Sequence, residues 1–194
     1  MDIELSDNPQ LQWIFDNDVR TVSSPIVYDG DIYTIDRKGV IRGIDSDGNE
    51  FLHHDMKTTV EASFIIRDSI LYVGRIDGYV TALSIPSMKK LWEYETLGQI
   101  SASPNTIESK SGKLLLIGSY DNSMYVFNSV NGALKSKFET GYYINGASSV
   151  YKDYVLFGGC DRWLRIVNAN NGLQTIFSPN FVFSIFLSII ESLT

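Results

Sequence analysis

A repeat of about 40 residues runs through most of the chain and constrains its fold more than any other feature. Large apolar or aromatic residues that end a polar turn recur at Trp13, Leu52, Trp92, Phe138 and Phe177. The intervals between them are 39, 40, 46 and 39 residues. A serine follows eleven residues after each of the first four, at Ser24, Ser63, Ser103 and Ser149. A fixed period of this length is typical of proteins built from similar stacked units.

Each unit contains four short strand patterns separated by turns. In the second unit, runs rich in β-branched and aromatic residues occupy positions 64–66, 70–73, 79–83 and 91–95. The Asp77-Gly78 pair between two of these runs is a hairpin signal. The longer third interval is interpreted as a polar loop inserted at residues 108–113. Four strands in a unit of about 40 residues are typical of a β-propeller blade.

The second unit also carries the closest match to a known repeat family. Residues 82–92 read Ala-Leu-Ser-Ile-Pro-Ser-Met-Lys-Lys-Leu-Trp. They resemble the tryptophan-docking motif of the PQQ-like, quinoprotein-type β-propellers, in which an Asp or Asn stands two residues after the Ala and Thr-Gly precedes the Trp. Leucine or phenylalanine replaces the tryptophan in three copies. The resemblance covers about residues 10–177 and implies an all-β fold of four-stranded antiparallel blades.

About four blades are present, which we expect to form an incomplete ring. The blades occupy residues 1–177, with an orphan outer strand at 12–15 and repeats at about 23–60, 61–100, 101–145 and 146–177. The apolar tail at residues 178–194 lies outside the pattern and is too short for a bilayer span, which needs roughly 20 apolar residues. Three explanations remain open: a truncated product whose reading frame left the repeat, a half-ring completed by a second copy, and a small or open propeller.

The charge balance disfavours one class of binding partner. Sixteen basic and 23 acidic residues give a net charge of −7, which disfavours nucleic-acid binding because that function needs a basic face. The first residues contain no secretory signal, so we expect a cytoplasmic protein. A periplasmic or exported protein is expected if the true N-terminus is missing.

The sequence predicts no catalytic, metal or cofactor site. His53 and His54 are adjacent on a strand and therefore point to opposite faces. The acidic turn that starts at Asp45 lacks the spacing of a calcium loop. Cys160 is the single cysteine and has no partner at metal-binding spacing. The resemblance implies PQQ and calcium in quinoprotein enzymes, often beside a vicinal disulfide, and this chain has no adjacent cysteines.

We therefore predict a non-catalytic propeller scaffold that binds a protein or a small ligand. The alternatives are a fragment of a PQQ-dependent dehydrogenase and a product without a function of its own. The predicted interaction surface consists of residues in blade-end turns: Arg75, Asp77, Tyr120, Asp121, Asp161, Arg162 and Trp163. Trp163 is the preferred anchor because aromatic residues dominate binding hot spots, although it could instead pack between blades.

Overall fold

Four antiparallel sheets follow one another along the chain in a computed structural model that describes residues 10–177, except residues 18, 22, 111 and 173. Blade 1 contains β1 (Ile26–Tyr28), β2 (Asp31–Ile35), β3 (Val40–Ile44) and β4 (Glu50–Asp55). Blade 2 contains β5 (Ile65–Arg67), β6 (Ile70–Gly74), β7 (Tyr79–Ser84) and β8 (Lys89–Glu95). Blade 3 contains β9 (Asn105–Ser109), β10 (Gly112–Ser119), β11 (Ser123–Asn128) and β12 (Leu134–Glu139). Blade 4 contains β13 (Ser149–Tyr151), β14 (Tyr154–Gly158), β15 (Leu164–Asn168) and β16 (Gln174–Phe177).

Each sheet is a simple meander in which consecutive strands pair. The predicted all-β fold of four-stranded antiparallel blades is therefore confirmed. Tight turns make the meander possible. Asp29 and Gly30 join β1 to β2 with φ values of 54° and 89°, and Asp68 and Ser69 join β5 to β6 with 51° and 59°. Two left-handed residues in a two-residue connection match the twist of the flanking strands.

The loop predicted at residues 108–113 is wrong, because the inserted residues extend a hairpin instead. Glu108 pairs with Lys113, and Ser109 pairs with Gly112, so β9 and β10 continue beyond their counterparts in blade 2. The extra backbone N–H and C=O groups gain ladder partners in this way. The Lys113 ammonium also forms an ion pair with Asp68 of blade 2.

Three apolar clusters join consecutive blades. Tyr33 and Ile41 of blade 1 pack with Leu71 and Leu83 of blade 2. The second cluster joins blades 2 and 3 through Tyr72, Trp92, Leu115 and Phe127. The third joins blades 3 and 4 through Leu116, Val126, Val155 and Phe157. Among the described residues, no cluster joins blade 4 to blade 1, so the blades form an open arc, as predicted for an incomplete ring.

The repeated serines form hydrogen bonds from blade to blade. The Ser24 N–H donates to Ser63 Oγ at 3.2 Å, and the Ser63 N–H donates to Ser103 Oγ at 3.2 Å. Blade 4 departs from this pattern, since its register places Ala147 rather than Ser149 at the equivalent position. There, Asn105 Nδ2 donates to the Ser148 carbonyl at 2.8 Å. The serine interval therefore identifies the blades but is displaced by two residues in the last one.

Tryptophan side chains dock on the turn between the third and fourth strands of a blade. Trp92 of blade 2 donates from Nε1 to the Ser129 carbonyl of blade 3 at 2.8 Å. Its ring lies so close to Gly132 that a Cβ on this glycine would be 2.6 Å from it. Trp13 donates to the Ser46 carbonyl of blade 1 at 2.9 Å and lies over Gly48. The indole N–H thus binds a turn carbonyl in both cases.

The register corrects the predicted equivalence of Phe138 and Phe177 with Trp92. Trp92 lies opposite Ala82, immediately before a β-bulge, and the residue in the same place in blade 3 is Ser136, opposite Val126. In blade 4, the register places Thr175 there. Phe138 and Phe177 lie two positions further along their strands. Because side chains alternate across a strand with period two, such a shift preserves the face and therefore imitates the motif.

The outer strand predicted at residues 12–15 is not formed. This segment has no ladder partner within the described part of the chain, and the Trp13 side chain binds it to blade 1. The predicted tail at residues 178–194 lies outside the described residues. No helix long and apolar enough to cross a membrane occurs in the part of the chain that the structure describes.

Replacement of Trp92 by alanine should lower the free energy of unfolding by about 3–5 kcal/mol, because it removes a buried ring and its hydrogen bond between blades 2 and 3. Urea denaturation measures this change. Leu91→Ala is the matched control, since the neighbouring Leu91 side chain is exposed, and a change within about 0.5 kcal/mol is expected. Equal losses in the two variants would contradict the docking role of Trp92.

Candidate functional site

All seven predicted interaction residues lie at the same end of their blades, in the turns between the second and third strands of blades 2, 3 and 4. These turns span residues 75–78, 120–122 and 159–163. Each turn binds the linker that leaves the preceding blade. The N–H groups of Ile76, Tyr120 and Cys160 donate to the carbonyls of Thr59, Gln99 and Tyr143 at 3.1, 3.0 and 2.9 Å. The turns and linkers together form a surface that we call the rim.

One aspartate in each turn binds the same linker a second time. Asp77 accepts the Thr58 hydroxyl at 3.2 Å. Asp121 accepts the Leu97 N–H at 3.1 Å, and Asp161 accepts the Gly141 N–H at 2.8 Å. Three predicted contact residues therefore hold consecutive blades together.

Asp161 is the most strongly held of these carboxylates. Arg165 donates to it from Nη1 at 3.1 Å and from Nη2 at 2.5 Å, and the Trp163 N–H donates at 3.1 Å. The Arg165 hydrogen bonds, aided by the Gly141 and Trp163 N–H groups, lower the pKa of Asp161 to about 2. Both side chains are less than one-tenth exposed. This buried pair fixes the turn that presents Arg162 and Trp163.

The corresponding position in blade 3 carries a phenol. The Tyr125 hydroxyl donates to Asp121, and burial, followed by this hydrogen bond, raises the pKa of Tyr125 well above its usual value. In blade 2, Arg75 is held by Asp77 and by Glu93, whose Oε1 lies 2.7 Å from Nη1. Four of the predicted interaction residues therefore have hydrogen-bond or ion-pair partners within the chain: Arg75, Asp77, Asp121 and Asp161.

Aromatic side chains cover the blade 3 and blade 4 part of the rim. The rings of Tyr120 and Tyr143 stack with centroids 4.5 Å apart and an interplanar angle of 4°. Tyr142 contacts Tyr143 at 4.7 Å and is 53% exposed. Trp163 is 40% exposed and belongs to none of the three inter-blade clusters. We call Tyr120, Tyr142, Tyr143 and Trp163 the aromatic rim.

Tyr142 and Tyr143 were not among the predicted site residues. They lie in the linker between blades 3 and 4, a segment to which the repeat assigns no motif. The available signal was two consecutive tyrosines in a segment predicted to be a connection. The Asp161 bond to Gly141, directly before Tyr142, brings this linker beside the Trp163 turn.

Arg162 occupies a strained position in its turn. Its φ is 70°, and Gly78 stands at the equivalent position of blade 2 with a φ of 91°. A left-handed backbone is unfavourable for a residue with a Cβ, and glycine adopts it without this cost. The exposed Arg162 side chain is therefore present at a position where glycine suits the fold better.

The other candidate residues from the sequence do not come together in a site. Cys160 is exposed, and its Sγ lies 3.7 Å from Asn145 Oδ1. Hydrogen bonding with Cys160 raises the pKa of Tyr143. His53 Nδ1 contacts Glu50 Oε1 at 2.8 Å. No group of three His, Cys, Asp or Glu side chains that could hold a metal ion occurs among the described residues.

Comparisons with known proteins identify the fold only. No family model matches the chain, and no curated protein matches its sequence. BamB from Moraxella catarrhalis is 18% identical with a TM-score of 0.74, over 85% of this chain and 52% of that structure. The computationally designed Ika8 protein is 18% identical (TM-score 0.66, 78% and 47%), and the designed Ika4 protein is 16% identical (0.67, 88% and 98%). The chain spans about half the length of BamB and Ika8, and these likenesses support a β-propeller fold.

Replacement of Asp161 by asparagine should lower the free energy of unfolding by about 3 kcal/mol at pH 7, because it leaves the Arg165 charge buried without its partner. The folded pKa of about 2 lies below the unfolded value of about 4. The carboxylate therefore stabilises the fold above pH 4, and its contribution is lost as the pH falls from about 4 towards 2. Denaturation from pH 7 to pH 2 should show the gap between the two proteins closing over this range.

Asp47→Asn, in an exposed turn of blade 1, is the control for the loss of one carboxylate. Its stability should remain within about 0.5 kcal/mol of the original at pH 7. A gap between Asp161→Asn and the original chain that stays constant down to pH 2 would contradict the assigned ion pair.

Proposed function

We propose that this chain is a non-catalytic, PQQ-like propeller scaffold that binds a protein partner through the aromatic rim and Arg162. The observation that carries the proposal is the combination of exposed aromatic side chains with turns held by internal hydrogen bonds, including the buried Asp161–Arg165 pair. Tyr, Trp and Arg are the residue types that contribute most binding energy at protein interfaces. Here they occur together at the same end of blades 3 and 4.

Rigidity of the supporting turns strengthens the proposal. The Asp161–Arg165 pair and the linker hydrogen bonds fix the backbone on which Trp163 and Tyr142 are presented. The stacked Tyr120 and Tyr143 rings restrict each other's rotamers. Side chains ordered before binding lose less conformational entropy in a complex, so more of their contact energy contributes to affinity.

The strained Arg162 provides independent support. A surface arginine that replaces a better-suited glycine costs stability, and such costs are typical of functional positions. Its cation, directly before Trp163 in a chain of net charge −7, adds a charged group to the rim. The alternative, a fragment of a PQQ-dependent dehydrogenase, gains no support from the described residues.

The partner is to be found by replacing Trp163 with a photo-crosslinking amino acid in cells and identifying the captured protein. Val130, exposed at the opposite end of blade 3, is the matched site for the crosslinker. Affinity for the purified partner should fall at least tenfold in Tyr142→Ser/Trp163→Ser, since hot-spot losses are about 2 kcal/mol or more. Val130→Ser/Leu134→Ser removes comparable exposed apolar surface away from the rim and should bind as the original does.

Arg162→Gly separates binding from folding. This variant should be as stable as the original chain or more stable, by up to about 1 kcal/mol, because glycine relieves the left-handed strain. Its affinity for the partner should nevertheless fall. Unchanged affinity in both rim variants would contradict the proposal, and dye-linked alcohol or sugar oxidation on addition of PQQ and calcium would favour the dehydrogenase alternative.

A further inference from the structure

A cavity of about 350 Å³ lies between blades 3 and 4, away from the rim. Apolar side chains from both blades line its interior: Leu114, Leu116, Met124, Val126, Phe138, Val155, Phe157 and Val167. Its polar lining comes from Lys135 and Ser136 on β12 and from residues 168–172, the turn of blade 4 between β15 and β16. A cavity of this volume that combines an apolar interior with polar groups at its edge is typical of small-molecule sites.

The position of this cavity in the repeat shows why it is open. Ser136 occupies the place that Trp92 has in blade 2, opposite the residue before the β-bulge. In blade 2, the tryptophan ring fills the space between its own blade and the turn of the next blade. Serine cannot fill that space, and Phe138, two positions further along, lies against Phe157 instead.

The blade 4 turn keeps the geometry of the turn that accepts Trp92. Gly132 donates its N–H to the Asn128 carbonyl at 2.9 Å, and Gly172 donates to the Asn168 carbonyl at 2.8 Å. Likewise, the Ser129 N–H donates to the Lys113 carbonyl, and the Ala169 N–H donates to the Asp153 carbonyl. Ala169 is therefore the counterpart of Ser129, whose carbonyl accepts the indole N–H of Trp92.

The charge at this site indicates a second feature of the ligand. Lys135 is the unmatched residue of the β-bulge in blade 3, and it lines the cavity beside Ser136. Its side chain is exposed and makes no ion pair among the described residues. A ligand carboxylate beside the ring would therefore meet a cation at this point.

We propose that this cavity binds a small indole compound that carries a carboxylate on a short side chain. The indole ring occupies the space that Trp92 fills in the preceding interface, and its N–H donates to the Ala169 carbonyl. The carboxylate pairs with Lys135. The site is independent of the aromatic rim, which lies at the other end of the blades, so the two proposals can fail separately.

Indole-3-acetate is the probe for this site. Titration of the full chain by calorimetry and by ¹⁵N NMR should give saturable binding with a Kd on the order of 0.1 mM, the affinity expected of a ligand of this size. Shifts should be concentrated on the residues that line the cavity. Uncharged indole should bind about tenfold more weakly, and the cationic tryptamine more weakly still.

Two variants at one position test the assignment. Ser136→Trp supplies the missing ring, and it should abolish binding and raise the Tm by several degrees. Ser136→Ala keeps the cavity open and should bind within about twofold of the original. Lys135→Gln should remove the preference for indole-3-acetate over indole while leaving the indole affinity unchanged.

Absence of saturable indole-3-acetate binding up to 10 mM, on the order of a hundredfold above the expected Kd, would overturn the proposal. Shifts confined to another surface, or wild-type affinity in Ser136→Trp, would do the same. Tighter binding of N-acetyl-tryptophanamide than of indole-3-acetate would overturn the small-molecule assignment, because it would indicate a tryptophan side chain from a peptide. The NMR map on the original chain decides the matter even if Ser136→Trp does not fold.

Discussion

The arc depends on the docking of a large side chain from one outer strand onto the polar turn of the neighbouring blade. A single four-stranded blade cannot bury both of its faces, so each interface must supply apolar contact and satisfy the turn carbonyls. Trp92 does both, since its ring packs on Gly132 and its N–H binds the Ser129 carbonyl. Between blades 1 and 2, Leu52 packs against that interface's apolar cluster. The interface of blades 3 and 4 lacks this contact, because Ser136 occupies the corresponding position.

Hydrogen bonds at the rim complement this apolar docking at the outer strands. Asp77, Asp121 and Asp161 each bind the linker from the preceding blade, which fixes the order and spacing of the turns. The carboxylates predicted as interaction residues therefore have a structural role. The aromatic side chains beside them remain exposed on a fixed backbone. This division gives the rim both its rigidity and its accessible surface.

The period of about 40 residues was sufficient to predict four blades of four strands, because turn residues and β-rich runs recur within each unit. The register inside a blade was less accessible to sequence reasoning. The sequence pattern places Phe138 at the tryptophan position because a shift of two residues keeps the same strand face, and the pairing of Ser136 with Val126 corrects this prediction. Tyr142 and Tyr143 were missed because they lie in a connection where no repeat constrains the residue type. The cavity between blades 3 and 4 can be recognised as a missing tryptophan position only when the strand register and the turn geometry are combined.

The cavity between blades 3 and 4 also has a consequence for unfolding. In a linear array, cooperativity is transmitted only through successive interfaces, so the array separates first where coupling is weakest. The interface of blades 3 and 4 contains a cavity where the interface of blades 2 and 3 contains a packed indole ring. We therefore expect blade 4 to detach before blades 1 to 3 unfold. A ligand that occupies the cavity would couple blade 4 to the other blades, so that the two unfolding units become one.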